Sequence, residues 1–209
     1  MEFKSFFKTV GGNEGNKCHY PTRLDTYGCG CQHDCKYCYA KSLLDFRKLW
    51  NAAQPAIVNI QKVHRTIRRN LKPGDIVRLG GMTDCFQPLE RTARATYRTI
   101  EELNRQRVGY LIVTKSEIVA DDEYMELMDK DLAHIQVTVT CTDDHFNREY
   151  EKATPPVIAS EPSRNYKRRA STWLSDSLPS SLSSSTRECS TWMSSTTCNA
   201  TRYSSSSCE

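Results

Sequence analysis

Short apolar runs alternate with longer amphipathic runs between residues 20 and 156, and this alternation restricts the fold more than any other feature. The amphipathic runs place apolar residues on one helical face, as Ile60, Val63 and Ile67 do. Strands that alternate with helices form parallel sheets. The pattern predicts strands at 23–28, 75–81, 108–116 and 134–142, and helices at 39–50, 60–71, 89–106 and 121–132. We therefore expect an α/β fold, a partial or complete (β/α) barrel with ligands at the carboxyl ends of its strands.

The composition changes abruptly at Pro155 and Pro156. Seventeen of the 53 residues from 157 to 209 are Ser, and no helical or strand period continues there. Such a segment cannot bury enough apolar surface to fold. We expect an N-terminal extension at 1–17, a folded core at 18–156 and a disordered Ser-rich tail at 157–209.

A change of reading frame is one explanation for this tail. Back-translation of residues 170–181 with a shift of one base permits the sequence GFDVAIGLSPFI, and residues 163–170 and 201–208 likewise permit helix-like and strand-like sequences. We expect residues from about 157 onward to be a frameshifted readout of a longer gene, whose restored frame would add two strands to make six. The alternative is a natural Ser-rich tail. The DNA sequence around codons 154–160 distinguishes the two.

The ten Cys of the chain bear on the compartment of the protein and on the chemistry of its thiols. The N-terminus is polar and unlike a signal peptide, and no apolar run approaches the roughly 18–20 residues of a membrane span. We therefore expect a cytoplasmic protein without a membrane partner, in which clustered Cys are metal ligands or catalytic thiols rather than disulfides. The net charge of +4 permits an anionic partner without requiring one.

Cys31, Cys35 and Cys38 form the pattern C-x3-C-x2-C on a loop after the first predicted strand. A structural zinc site takes four protein ligands. A [4Fe–4S] cluster has four irons, so three Cys leave one iron open to a substrate or cofactor. Tyr37 and Tyr39 flank the last Cys and would shield such a cluster from water.

The motif resembles the signature of the radical S-adenosylmethionine enzymes. Together, "GCGCQHDCKYCYA", "LGGMTDCFQPLE", "LIVTKS", "VTVTCTDD" and "YEKATPP" are similar to the spore photoproduct lyase-like branch, over roughly residues 18–156. The resemblance implies a partial (β/α)6 barrel, truncated after about four βα units. It also implies a [4Fe–4S] cluster that cleaves S-adenosylmethionine reductively, and a 5′-deoxyadenosyl radical that abstracts hydrogen from a substrate.

The resemblance implies roles for individual residues. Cys31, Cys35 and Cys38 would bind the cluster. A further set would contact S-adenosylmethionine at the strand ends: Tyr37, Tyr39, Gly80, Gly81, Thr83, Asp84, Lys115 and Thr138, with Thr140 as a second candidate beside Thr138. The implied partners are a reducing electron donor of the flavodoxin or ferredoxin type and a nucleic-acid substrate, in which a duplex base would have to be flipped out.

One position departs from the lyase pattern. The lyase uses a Cys as hydrogen donor in the segment that matches "GMTD", and Met82 stands there in this chain. Cys85, three residues later, is the candidate catalytic donor. The alternative is that Cys85 fills the core as a small hydrophobe. Substrate and reaction are therefore not assigned from the resemblance.

Other interpretations remain for these features. The three Cys could form a structural zinc site completed by Cys18, Cys29 or His33, in a metal-stabilised module that binds nucleic acid without catalysis. In that module, the basic run from Lys62 to Arg69 would contact phosphates. The alternative is that this run is only the solvated face of a helix. Loss of the last two strands would leave sheet edges unpaired, so we expect the 209-residue chain to be unstable or inactive.

Overall fold

The computed structural model of the protein describes residues 3–8, 22–138 and 149–152. A five-stranded sheet lies at its centre, and a two-stranded sheet lies beside it. The strands are β1 (Phe6–Lys8), β2 (Thr22–Leu24), β3 (Tyr27–Gly28), β4 (Ala56–Ile57), β5 (Ile76–Leu79), β6 (Gly109–Thr114) and β7 (Ala133–Val137). The helices are α1 (Tyr39–Phe46), α2 (Ile60–Asn70), α3 (Glu90–Ala93), α4 (Ala95–Arg105) and α5 (Asp122–Leu127), with a 3₁₀ turn at Glu117–Ala120.

Four strands of the large sheet are parallel and lie in the order of the sequence, β2, β5, β6 and β7. β1 adds an antiparallel strand beside β2, so part of the predicted N-terminal extension belongs to the sheet. β3 and β4 pair with each other. The predicted α/β alternation and its four parallel strands are confirmed. The strands within the described ranges do not close into a barrel, and the predicted Ser-rich tail lies outside those ranges.

The helices cover one face of this sheet. Side chains alternate between faces along a strand, so Leu24, Leu79 and Ile112, which lie side by side in register, share one face and are fully buried. Val63 and Ile67 of α2 belong to the same core cluster, as do Ile100 and Leu103 of α4. The carboxyl ends of the parallel strands remain outside this core.

The prediction of a single helix at 89–106 is wrong in one respect, because this segment forms two helices. Arg94 adopts a left-handed conformation with φ of 51° between α3 and α4. The buried Glu90 carboxylate accepts hydrogen bonds from the backbone N–H of Thr96 (2.9 Å) and Tyr97 (2.9 Å), which caps α4. The tyrosine hydroxyl groups of β3 and α5, Tyr27 and Tyr124, donate to the same carboxylate.

Three other predicted elements end early or divide. The strand predicted at 23–28 divides into β2 and β3, because the chain leaves the large sheet after Leu24 and pairs with β4. Lys48, with φ of 56°, follows the end of α1 at Phe46. Extended backbone at Met128 ends α5 after six residues. No helix in the described ranges has the length and apolar character that crossing a bilayer requires.

Candidate functional site

The three cysteines lie on the loop between β3 and α1. Two backbone hydrogen bonds fold this loop into turns, from the Asp34 N–H to the Cys31 carbonyl (3.1 Å) and from the Cys38 N–H to the Cys35 carbonyl (3.2 Å). The side chains of Cys31 and Cys35 are buried, and Cys38 is half-buried at the N-cap position of α1. The loop therefore presents three reduced thiols within one short stretch of backbone.

The surroundings of Cys31 and Cys35 favour the protonated form of these two thiols. Burial, with the Asp84 carboxylate nearby, raises the pKa of Cys31 to about 12. Burial and the Glu151 carboxylate raise the pKa of Cys35 to about 11, against the opposing effect of the Lys115 ammonium group. Metal ligation requires thiolates, so a metal centre here would displace protons as it binds.

Asp84, predicted to contact a cofactor, connects the cysteine loop to two strand ends. Its carboxylate accepts hydrogen bonds from the Thr114 hydroxyl (2.7 Å) and the Lys115 backbone N–H (2.8 Å) at the end of β6. His33 Nε2 of the cysteine loop lies 3.4 Å from Asp84 Oδ2. Burial alone would raise the pKa of Asp84, but His33 and these hydrogen bonds outweigh burial and lower it. The carboxylate is thus a charged anchor for the loop.

Gly80 and Gly81 form the turn after β5, as expected from their place in the sequence. Gly80 has φ of 80°, and a Cβ there would lie 2.9 Å from the Val113 carbonyl oxygen, so only glycine fits. The Gly81 N–H donates to Asp25 Oδ1 (2.6 Å), and the Gly81 carbonyl accepts from the Tyr39 hydroxyl (2.9 Å). The turn therefore contacts both the residue that follows β2 and the first residue of α1.

Two of the other predicted cofactor contacts, Thr83 and Thr138, lie in different surroundings. The buried Thr83 hydroxyl donates to the Tyr27 carbonyl (2.6 Å), which fixes the turn from within. Thr138 is exposed directly after β7, and its N–H donates to the Thr114 carbonyl (2.8 Å). Thr138 therefore lies at the same sheet edge as Lys115.

Lys115 lies beside the cysteine loop. Its ammonium group is 3.1 Å from Glu151 Oε1 and 5.4 Å from the ring centroid of Tyr37, which is itself half-exposed. Burial lowers the pKa of Lys115, although the nearby Cys35 and the Asp84 carboxylate oppose that effect. The structure thus brings together the loop, Tyr37 and Lys115, which the sequence separates by more than 70 positions.

Cys85 lies in a different environment from the loop cysteines. Its side chain is 1% exposed and belongs to the hydrophobic core cluster. Burial raises the pKa of its thiol well above the ordinary value. This placement favours the interpretation of Cys85 as a small core hydrophobe over that of a hydrogen donor to a substrate.

Residues 149–152 lie across the cysteine loop, and we call them the strap. The Lys36 N–H donates to the Tyr150 carbonyl (2.9 Å), and the Lys152 N–H donates to the His33 carbonyl (2.8 Å). Lys152 Nζ also lies 2.9 Å from Asp34 Oδ2. The buried Glu151 reaches Lys115, so the strap covers the loop and the end of β6 together.

Sequence reasoning missed three members of this site. Asp25 and Glu151 carried no periodic or spacing signal, and His33 was considered only as an alternative zinc ligand. Their positions depend on contacts between residues far apart in sequence. Burial of a charged side chain becomes visible only when the fold is known, so the sequence did not single out Asp25, or Glu151 within the segment "YEKATPP".

The loop thiols are not gathered as ligands of a single ion. Within residues 3–8, 22–138 and 149–152, no group of three or more His, Cys, Asp or Glu side chains is arranged to hold a metal ion. Each Cys of a [4Fe–4S] cluster binds a different iron, so such a cluster does not require its thiols to meet at one point.

Comparison with known proteins gives one informative similarity. The chain is 26% identical over 135 residues to a protein of Methanocaldococcus jannaschii named Uncharacterized protein MJ0683. The match covers 65% of this chain and 49% of that protein, so the chain spans about half the length of the relative. No protein-family model and no solved structure matches. The relative's name describes no activity, and the function is therefore argued from the residues of this chain.

Proposed function

We propose that the protein is a radical S-adenosylmethionine enzyme of the spore photoproduct lyase-like type. The observation that carries the proposal is the position of three reduced thiols near the carboxyl ends of the parallel strands β5 and β6, with Cys31 close to Asp84 and with Cys35 and Cys38 close to Lys115. Ligand sites of parallel α/β folds lie at this edge. The complete architecture would be a (β/α)6 barrel, of which β2, β5, β6 and β7 would be the first four strands.

The donor set suits an iron–sulfur cluster. The three thiols of the C-x3-C-x2-C motif match a cluster that keeps one iron open for another ligand. Cys29, on the same loop, is outside this motif. The zinc alternative needs four donors around one point. When bound, the cluster and S-adenosylmethionine would supply the one-electron chemistry for hydrogen abstraction.

The residues of this chain would orient and shield that cofactor pair. Tyr37 and Tyr39 flank Cys38 and would limit the access of water. At the strand ends, the Gly81 carbonyl is a hydrogen-bond acceptor and the Lys115 ammonium group is a cation. They would face the amino group and the carboxylate, respectively, of the methionine moiety of S-adenosylmethionine. Thr138 offers a hydroxyl at the same edge. Asp84, held by Thr114 and the Lys115 N–H, would keep the loop in position rather than contact the cofactor.

The location and partners belong to the same proposal. The cysteines of the described ranges are all free thiols, which fits the reducing cytoplasm. A reducing electron donor of the flavodoxin or ferredoxin type would be required. Contact of α2 with nucleic acid is less well supported, because Arg68 Nε of its basic face is 2.7 Å from the buried Glu102 carboxylate and therefore has a structural role.

Anaerobic reconstitution with iron and sulfide tests the proposal. We expect about four irons per chain and an electron paramagnetic resonance signal of the reduced protein that changes on addition of S-adenosylmethionine. Alanine variants of Cys31, Cys35 and Cys38 should each lose most of the bound iron, whereas Cys29→Ala should retain it as a matched control. Zinc binding without iron incorporation would overturn the proposal and favour a structural metal site.

A further inference from the structure

We propose that Gln87 donates a hydrogen bond from its side-chain Nε2 to a sulfur atom of the cluster held at the cysteine loop, and so makes that cluster easier to reduce. This inference rests on the proposed function and adds a cofactor-binding residue to those that the resemblance implies. The contact of Gln87 with the loop, its unpaired donor and the charges nearby support it in turn.

Gln87 holds the cysteine loop through its side-chain oxygen. The side chain is fully buried, and its Oε1 accepts a hydrogen bond from the backbone N–H of Gln32 (2.8 Å), the residue directly after Cys31. Since a backbone N–H needs an acceptor, this contact fixes which end of the amide group is oxygen and which is nitrogen. The Nε2 end therefore lies beside the same stretch of the loop.

The Nε2 donor of Gln87 has no acceptor among the residues that the structure describes. It is buried, and no hydrogen bond satisfies it. An unpaired buried donor costs free energy that a bound acceptor recovers. Sulfur atoms of an iron–sulfur cluster accept hydrogen bonds, and these bonds are among the factors that set its reduction potential. The unpaired donor therefore fits a group that brings sulfur to the loop.

The segment that carries Gln87 lies close to Cys31. Burial and the Asp84 charge raise the pKa of the Cys31 thiol, whereas the backbone N–H of Asp84 lowers it, which places that N–H close to the sulfur. Gln87 follows Asp84 by three positions. A cluster bound through Cys31 would therefore form near the backbone of this segment and near the Gln87 amide.

Hydrogen bonds on both sides hold Gln87 in this place. Its carbonyl accepts from the backbone N–H of Glu90 (2.8 Å) at the start of α3. The preceding residue, Phe86, is fully buried and donates its N–H to Asp84 Oδ1 (2.8 Å). Packing and hydrogen bonds of this kind keep a binding group in its place before the ligand arrives.

The charges around the loop oppose reduction of a cluster. Besides burial, the Asp84 carboxylate raises the pKa of Cys31, and the Glu151 carboxylate does the same for Cys35. Both carboxylates would also disfavour the additional negative charge of a reduced cluster. A hydrogen bond from Gln87 would stabilise that charge, so the reduction potential would be higher with the Nε2 donor than without it.

A redox titration of the reconstituted chain, followed by electron paramagnetic resonance without S-adenosylmethionine, tests this inference. Met is similar in size to Gln and has no N–H donor. We expect Gln87→Met to shift the reduction equilibrium about tenfold toward the oxidised cluster, which makes the midpoint potential about 59 mV more negative for one electron. Gln61→Met at an exposed position of α2 is the matched control and should keep the unmodified midpoint. An unchanged midpoint in Gln87→Met would overturn the inference.

A second measurement does not depend on how Gln87→Met folds. The unmodified chain is synthesised with glutamine that carries ¹⁵N in its side-chain amide, then reconstituted and reduced. Pulsed electron paramagnetic resonance should detect a ¹⁵N coupling to the cluster, and Gln32→Met, on the loop itself, should retain it. Absence of this coupling from the unmodified chain, or its loss in Gln32→Met, would contradict a hydrogen bond from Gln87.

The two measurements separate this inference from the proposed function. Failure of the unmodified chain to incorporate iron would overturn both. A cluster that forms and responds to S-adenosylmethionine, but shows neither the ¹⁵N coupling nor the shifted midpoint, would overturn the role of Gln87 alone and leave the proposed function standing.

Discussion

At the scale of single residues, the absence of a side chain at Gly30 sets the path of the cysteine loop. A Cβ at this position would lie 2.0 Å from the Asn51 carbonyl oxygen. The Asn51 N–H in turn donates to the Cys29 carbonyl (2.7 Å). The loop backbone and the segment at Asn51 therefore touch directly, and neither can move without losing this contact.

We predict that Gly30→Ala lowers the free energy of unfolding by roughly 3 kcal/mol, since backbone must shift to admit the methyl group. Gly74→Ala is the matched control. Gly74 has φ of 91°, but no atom lies within 4 Å of the place that a methyl group would take, so the substitution should cost only about 1 kcal/mol. Urea denaturation measures both values. Equal losses would show that the loop tolerates a side chain at Gly30.

At the scale of elements, the local sequence pattern was sufficient to predict elements that are long and bury one face. The period of α2 predicted that helix, and the apolar runs of β5, β6 and β7 predicted three of the four parallel strands. The break at Arg94 was not predictable, because Glu90 caps α4 while accepting a hydrogen bond from Tyr27, 63 positions away. The two-residue strands β3 and β4 are too short to show a period.

The same distinction applies to the candidate site. The C-x3-C-x2-C spacing identified the three thiols, and the glycines and Lys115 followed from the resemblance. The role of Asp84 as an anchor and the contact of Glu151 with Lys115 required the fold, since each joins segments that are far apart in sequence. The sequence left two interpretations of Cys85 open, because the burial that favours the core interpretation depends on packing.

The pairing of α2 with α4 leads to a prediction about acid stability. The Glu102 side chain is fully buried and accepts hydrogen bonds from Arg68 Nε (2.7 Å) and Nη2 (2.9 Å). The hydrogen bonds from Arg68 lower the pKa of Glu102, although burial opposes them. The carboxylate therefore favours the folded state above its ordinary value of 4.5, and this stabilisation disappears as the pH falls through the lowered folded-state pKa.

We predict that Glu102→Gln destabilises the protein at pH 7 by about 1 kcal/mol, a modest value because the arginine partners are half-exposed to solvent. The difference from the unmodified chain should shrink as the pH falls below the ordinary glutamate range. Denaturant titrations at neutral and acid pH measure it. A difference that stays constant with pH would show that the charge of Glu102 contributes nothing.

At the scale of the whole molecule, the strap at 149–152 joins the end of the described chain to the cysteine loop, more than 100 positions earlier in the sequence. It makes two backbone hydrogen bonds to the cysteine loop, and its side chains reach Asp34 and Lys115. The strap and the Asp84 anchor both contact the loop at His33, the strap through the backbone carbonyl and Asp84 through the imidazole ring. This arrangement would keep the three thiols in position before any metal binds.

We predict that Lys152→Pro loosens the cysteine loop, because proline removes the N–H that donates to the His33 carbonyl and restricts Glu151. The backbone amide of Lys36, which donates to Tyr150, should exchange with solvent about tenfold faster. Lys152→Ala keeps the N–H and should change this rate little. Hydrogen exchange followed by mass spectrometry measures both, and equal rates in the two variants would contradict a holding role for the strap.

The separation in sequence between the strap and the cysteine loop also means that the loop is synthesised well before the strap. Asp34 and Lys152 are 118 positions apart, so at about 5–20 residues per second the ribosome needs roughly 6–24 s between them. Throughout this interval the nascent chain carries its cysteines without their cover. Iron–sulfur delivery would therefore have a window on the ribosome in which the loop is still accessible, and the arrival of the strap would close it.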